Sequence, residues 1–217
     1  MTSITIPDSV TSIGDRAFRS CSSLISITIG NGVTSIGDNL LSGCSSLENV
    51  IIGNGVTSIG GRAFEACSSL TSITLPESVT SIGDGAFYEC RSLASVTIPD
   101  SVTSIGVQAF LFCSLTSVTI PDNVTSIGKQ VFFGCRSLKS VTIGNGVTSI
   151  DDNAFFGCFN LTSVYCKPKT PPTLGSADAF DNNVPNRNIY VPTASVDAYK
   201  TAEGWKNYAD NIIGYEF

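Results

Sequence analysis

Apolar positions recur along this chain in a fixed phase. In the stretch LTSITLPESVTSIGDGAFYEC, Leu70 to Cys90, Ile73 and Leu75 alternate with Thr74. That period of two predicts a short strand with one buried face. Pro76 then turns the chain. Val79 and Ile82 follow three residues apart, a spacing that a straight pleated strand does not give, so a second, bent extended piece is expected. Gly83 ends it. Asp84 is placed to cap a short helical or 3₁₀ turn, in which Phe87 and Cys90, three apart, share one face. Leu93 leads into the next strand.

The same unit runs through most of the chain. Cys21, Cys44, Cys67, Cys90, Cys113, Cys135 and Cys158 are 23 residues apart, except for one step of 22 after Cys113, where Cys-Ser-Leu replaces Cys-x-Ser-Leu. Phe18, Leu41, Phe64, Phe87, Phe110, Phe132 and Phe155 keep these steps, as do the isoleucines from Ile13 to Ile150. A unit this short cannot enclose its own apolar face, so the coils must stack into a solenoid. Seven coils fill residues 1 to about 160, and Val164–Cys166 reads as an eighth strand. Met1 falls at the place Leu24 and Leu70 hold, so the chain is expected to be a fragment or to be cut at a repeat boundary. The inward set is Ile4, Ile6, Val10, Ile13, Phe18, Cys21 and their equivalents.

The period breaks after Cys166. Lys167 to Pro172 forms a stiff turn, Ala179-Phe180 echoes the Ala-Phe of a repeat, and Ile189-Tyr190-Val191 reads as a ninth strand. Thr193 or Ser195 can cap a helix carrying Val196, Tyr199, Ala202 and Trp205 at three-residue steps. With Tyr208 and Ile212, that helix is expected to close the core. The organisation expected is repeats over residues 1–166 and a degenerate repeat with a capping helix, a small α/β cap, over 167–217.

Composition narrows the chemistry. Only 14% of residues are charged, against about 25% in ordinary globular chains. Ser and Thr cover the surface instead. The net charge of −6 argues against nucleic-acid partners and anionic membranes. No run of about 18 apolar residues predicts membrane insertion. The absence of His removes the Ser-His-Asp and Cys-His nucleophiles and most zinc sites. No C-x₂₋₄-C pair is present, and every repeat Cys shares the Phe face, so buried unpaired thiols are expected rather than a metal site. Cys166, at the inward strand place that Ile143 holds one coil earlier, reads the same way. The turn row Asp8, Asn31, Asn54, Glu77, Asp100, Asp122 and Asn145 lacks the nonapeptide of calcium-binding β-rolls, and turn propensity explains it. No metal, cofactor or enzyme activity is expected.

The unit L-x-x-[IV]-x-[IL]-P-x-x-V-x-x-I-G-x-x-A-F-x-x-C-x-x resembles the BspA-like, or treponemal-type, leucine-rich repeat. The I-G-x-x-A-F-x-x-C core recurs seven times, with lapses at Leu40-Leu41, Val131 and Asp151. The tail, TPPTLGSADAF, NIYVP and SVDAYKTAEGWKNYADNI, is similar to the C-terminal end of such proteins in gut Bacteroidetes. The resemblance implies a leucine-rich-repeat solenoid of parallel short strands. It also implies a secreted or cell-surface protein of the kind implicated in adhesion to host matrix proteins and other bacteria. It brings no catalytic residues.

Two surfaces are candidates for binding. The outward strand row reads Thr5, Thr28, Ile51, Thr74, Thr97, Thr119, Thr142 and Tyr165, beside a row that is mostly Ser. Strand propensity and solubility alone account for such rows. As a recognition face, the row would offer Thr28, Thr74, Thr97, Thr119, Thr142 and Tyr165 to an extended protein or glycan. Ice binding by a flat Thr array is the rival reading, and Ile51 and Tyr165 interrupt that array. The second candidate follows the core Phe. That position is Arg19, Ser42 and Glu65 in the first coils, then Tyr88, Leu111, Phe133 and Phe156. It is either packing or an exposed aromatic stripe. The expected function is a non-enzymatic surface interaction module, with a structural spacer as the alternative.

Overall fold

The computed structural model describes residues 2–176 and 178–217. Two rows of parallel strands run along the molecule. The main row holds Ser3–Ile6, Ser26–Ile29, Asn49–Ile52, Ser72–Thr74, Ser95–Thr97, Ser117–Ile120, Ser140–Ile143, Ser163–Cys166, Asn188–Pro192 and Ile212–Tyr215. Pairing is in repeat register, Ser3 beside Ser26 and Thr119 beside Thr142. The second row consists of two-residue strands such as Ser58–Ile59 and Ser81–Ile82. Ile73 and Leu75 are buried, while Thr74 is exposed. The bend between the rows comes at the turn beginning with Pro76 or Gly53, after which Val79 and Val56 point back into the core.

The third piece of each coil differs from the expected helical turn. No helix lies among the described residues before Thr193. Residues 60–67 instead make linked turns, with Glu65 N–H donating to the Arg62 carbonyl at 3.1 Å and Cys67 N–H to that of Phe64 at 3.2 Å. The alternate N–H groups of Arg62, Phe64 and Ala66 donate outward to Asp84, Ala86 and Tyr88 of the next coil at 2.8–2.9 Å. Positive φ at Arg62 (53°) and Ala66 (55°) produces that alternation. A helix aligns every N–H with its own axis and would leave this side of the stack unbonded. Asp84 therefore caps no helix. Its carboxylate accepts the Val107 N–H one coil on, at 2.8 Å. The turn row behaves alike: Asp8 accepts from Asn31 N–H at 2.7 Å and Asp122 from Asn145 N–H at 2.8 Å.

The core is a set of ladders. Phe64, Phe87, Phe110, Phe132, Phe155 and Phe180 stack face on face, with neighbouring centroids 5.1–5.5 Å apart. All eight cysteines are free, and all but Cys21 are buried. Each buried repeat thiol donates to the backbone carbonyl of the Phe or Leu one coil back, as Cys90 does to Phe64 at 2.9 Å. The first coil is the exception, with Ile4, Ile6, Val10, Ile13, Phe18 and Cys21 only half-buried. An alkylating reagent at neutral pH is thus expected to modify Cys21 within minutes. The other seven thiols should react only as fast as the fold opens. Rapid uptake of more than one equivalent would contradict this ladder.

The turns of successive coils approach closely at their glycines, those of the first coil excepted. A Cβ on Gly55 would lie 1.9 Å from the Asn31 carbonyl oxygen, whereas one on Gly14 would meet nothing within 4 Å. Gly55→Ala is expected to lower stability by about 1–3 kcal/mol through backbone displacement, and Gly14→Ala to change it little. Urea denaturation of both variants checks the pair.

At the far end, Phe180 continues the ring ladder and Tyr199, Trp205 and Tyr208 cover it. Tyr199 donates to the Pro168 carbonyl at 2.8 Å and Trp205 Nε1 to that of Pro172 at 2.7 Å. The expected single helix is split. A 3₁₀ turn, Thr193–Ser195, precedes an α-helix of six residues, Val196–Thr201, and a second 3₁₀ segment spans Trp205–Asn211. Extended Ala202 and left-handed Gly204 break it, which turns Trp205 onto Phe180. Neither Thr193 nor Ser195 makes a side-chain cap; Ser195 is itself buried. Ile212 does close the core, as the first residue of the tenth strand rather than of a helix.

Candidate functional site

The outward strand row forms because each strand alternates an inward aliphatic residue with an outward one. Thr74, Thr97 and Thr119 are exposed, Thr28 and Thr142 half-buried. The row is continuous in register within three blocks. Thr28 pairs with Ile51, Thr74 with Thr97, and Thr119 with Thr142, Tyr165, Tyr190 and Ile213 in sequence. Ile51 interrupts it as a 62% exposed aliphatic side chain.

Hydroxyls on this face differ from those on the second strand row. Thr57, Thr80, Thr103 and Thr148 each donate to a backbone carbonyl one coil back, at 3.0–3.2 Å. Among the described residues, Thr28, Thr74, Thr97, Thr119 and Thr142 make no side-chain hydrogen bond within the protein. Their donors and acceptors are available to solvent or to a partner.

The row ends in an aromatic corner. Tyr165 and Tyr190 stack at 4.8 Å, and Tyr215 meets both edge-on at 5.6 and 5.5 Å. Phe217 packs edge-on against Tyr215 at 5.0 Å. Two hollows flank this corner. One, of about 340 Å³, is lined by Thr142, Tyr165, Lys167, Tyr215 and Phe217. The other, of about 580 Å³, includes Asn145, Lys169 and Pro192. Lys167 reaches Asp122 at 3.5 Å across it. Tyr165 alone of these aromatics was a candidate from sequence. Tyr190 was within reach, as the outward residue of the ninth strand; Tyr215 depended on the tenth strand.

The second candidate row is less open. Leu111 is buried, 4% exposed, while Tyr88, Phe133 and Phe156 are half-buried. Phe133 stacks on Phe156 at 5.4 Å and takes the edge of Phe112 at 5.8 Å. These rings form a second, outer stack behind the core ladder. Phe159, under Arg136 at 5.4 Å, is the exposed ring of this region.

Burial shapes the titration of the groups nearby. Desolvation pushes the Cys44 thiol up to about 11 and the Cys90, Cys135 and Cys166 thiols up to about 12. None of these is a thiolate nucleophile at neutral pH.

Comparison with known proteins agrees with this architecture. The family model described as the BspA type leucine rich repeat region matches residues 1–114 and 103–200, in six copies. A leucine-rich repeat protein of T. pallidum superposes with a TM-score of 0.68 at 31% identity, over 73% of this chain and 77% of that one. A leucine rich cell surface protein of Faecalibacterium prausnitzii A2-165 is 25% identical, with a TM-score of 0.53, over 99% of this chain and 83% of that one. A leucine-rich repeat protein of Eubacterium ventriosum, at 22% identity and a TM-score of 0.54, shares the fold. No curated protein matches the chain. No helix among the described residues is long and apolar enough to cross a membrane. By its repeat, its stacked coils and the family model that covers most of its length, the chain belongs to the BspA-type leucine-rich repeat family.

Proposed function

We infer that the protein is a secreted or cell-surface adhesion module that engages an extended protein or glycan along its outward strand row. Leucine-rich repeat proteins of this family are interaction modules and generally not enzymes. One observation carries the choice of face: among the described residues the strand-row Thr hydroxyls are unbonded within the protein, while Thr57, Thr80, Thr103 and Thr148 of the second row donate to backbone carbonyls. The face is nearly free of Lys and Glu, whose ordering costs rotamer entropy. Glu48 and Lys139 are the charges along it, with Lys167 and Glu216 at its aromatic corner. Aligned hydroxyls give many weak bonds, suited to a long partner rather than a small molecule. The surface location rests on the family and on the cell-surface relative from Faecalibacterium prausnitzii.

Affinity is expected to be modest, about micromolar, and to depend weakly on salt, since few charges take part. Thr→Lys changes at Thr74, Thr97 and Thr119 should abolish capture of matrix proteins and glycans in a pull-down, with folding intact. Retained binding in that triple variant, together with its loss on changing Phe133 and Phe156 to Ser, would assign the site to the aromatic row.

A further inference from the structure

The coil that is one residue short carries a second surface, away from the strand row. Residues following the core Cys read Ser45, Ser68, Arg91, Ser114, Arg136 and Phe159. Ser114, on the short coil, therefore stands between two arginines. Leu93 N–H donates to the Cys90 carbonyl at 2.9 Å and Leu138 N–H to that of Cys135 at 3.0 Å. Leu115 makes no such bond, because the turn it would close has been lost. Ser114 keeps the cross-coil bond of its row, donating to the Arg91 carbonyl at 2.6 Å. What remains is a notch of about 380 Å³, lined by Arg91, Phe112, Cys113, Ser114, Gly134 and Arg136. Its size falls within the range of about 300–1,000 Å³ typical of ligand sites.

The floor of the notch is unusual in its own right. Phe112 adopts φ 59°, a left-handed conformation that is unfavourable for a bulky residue. Ser20, Gly43, Ala66, Glu89, Gly134 and Gly157 fill the same place in other coils, all with positive φ, and Phe112 is the bulkiest of the row. The Phe112 ring lies over Gly134, where an added Cβ would come within 2.5 Å of its edge. The Arg91 guanidinium sits 6.0 Å from the ring centroid. Arg136 has no carboxylate at ion-pair distance among the described residues. Arg91 has one, Glu89 at 3.1 Å, and its side chain is 64% exposed. On a chain of net charge −6, two arginine side chains lining one notch, Arg91 toward Phe112 and Arg136 over Phe159 at 5.4 Å, form a local positive site.

We propose that this notch binds an acidic saccharide, with the pyranose ring on Phe112 and its carboxylate between Arg91 and Arg136. A planar guanidinium matches a carboxylate in two parallel hydrogen bonds. The negative face of an aromatic ring attracts the positively polarised C–H face of a sugar. A carboxylate on a flexible peptide side chain would use the arginines but not the floor. The ligand anion displaces Glu89 from Arg91.

Titration calorimetry at low salt tests this with uronic-acid oligosaccharides from hyaluronan, chondroitin sulfate and polygalacturonate. Carboxyl-reduced hyaluronan and tetraglutamate are the comparison probes. At least one uronate should bind, and its carboxyl-reduced form should bind at least about tenfold more weakly. Arg91→Ala and Arg136→Ala should each weaken binding about tenfold. Phe112→Ser should do so with both charges in place, and Ser20 shows that this row accepts serine. Glu89→Gln should tighten binding several-fold. Inserting one Ser after Cys113 restores the 23-residue coil and should abolish binding. Thr74→Val with Thr97→Val should leave it unchanged, which separates this site from the strand row. Failure of all three uronates to bind overturns the proposal. So does tetraglutamate binding as tightly as the sugar, or Phe112→Ser binding like the parent.

Discussion

Between pH 8 and 10.5 this protein is expected to lose its stability and unfold. Burial raises seven thiols, that of Cys44 to about 11, those of Cys90, Cys135 and Cys166 to about 12, and those of Cys67, Cys113 and Cys158 in the same direction. The cause at each is desolvation by burial, which penalises the thiolate. In the unfolded chain the same thiols ionise near 9. Below that pH both states hold the proton and the stability is complete. Above it the unfolded chain releases protons that the folded chain retains, so stability falls until the folded thiols also ionise. Each thiol shifts the folding equilibrium about tenfold per pH unit in that window. Seven acting together withdraw about 10 kcal/mol over one unit, comparable to the whole stability of about 5–15 kcal/mol for a domain. Buried Tyr199 and Tyr208 act in the same direction. Urea midpoints followed by Trp205 fluorescence should hold steady to about pH 8.5 and then collapse. A midpoint at pH 10.5 equal to that at pH 8 would show that the thiols are not desolvated.

The second large effect is expected from Phe87→Ala. Phe87 is fully buried, with parallel rings on both sides at 5.1 and 5.2 Å. Removing it deletes two stacked contacts and leaves a cavity that the flanking rings, held by their own coils, cannot fill. The cost should be about 3–5 kcal/mol. It should also divide the molecule, because each coil is stabilised mainly by its neighbours. The urea transition is then expected to broaden or to split in two. Phe18→Ala, in the half-buried first coil, should cost far less. Equal and small effects at the two sites would mean that the ring ladder does not hold the stack.

The residues that revealed the fold are those whose spacing has one structural solution. Alternating Ile73, Thr74 and Leu75 admit only a strand, and a 23-residue phase in Phe and Cys admits only stacking. The arc holding Phe87 and Cys90 was misread because three-residue spacing fits a helical face and linked turns equally well. What separates them is the left-handed φ at residues such as Arg62, Ala66 and Glu89, whose side chains give no sign of it. Ile212–Tyr215 was hidden for a related reason. It lacks the Ser/Thr signature of the other strands, and it follows a segment with helical spacing. Tyr215 and Phe217 of the aromatic corner stayed hidden with it, although Tyr190 lies on the ninth strand. The missing residue after Cys113 was plain in the sequence. That its loss would open a notch between Arg91 and Arg136 required knowing that adjacent coils superpose residue on residue.

The bonding of each coil to its neighbours governs how the molecule yields to tension. At one end Trp205 and Tyr199 clamp the Pro172 and Pro168 carbonyls across the last coils; at the other, the apolar side chains of the first coil are only half-covered. A pull along the rod does not shear all strands at once, since each coil is bonded only to its neighbours. Coils should give way one at a time. Each releases about 23 residues, or about 80 Å of extended chain. The solenoid would thus act as a tether that lengthens in equal steps and takes up load gradually.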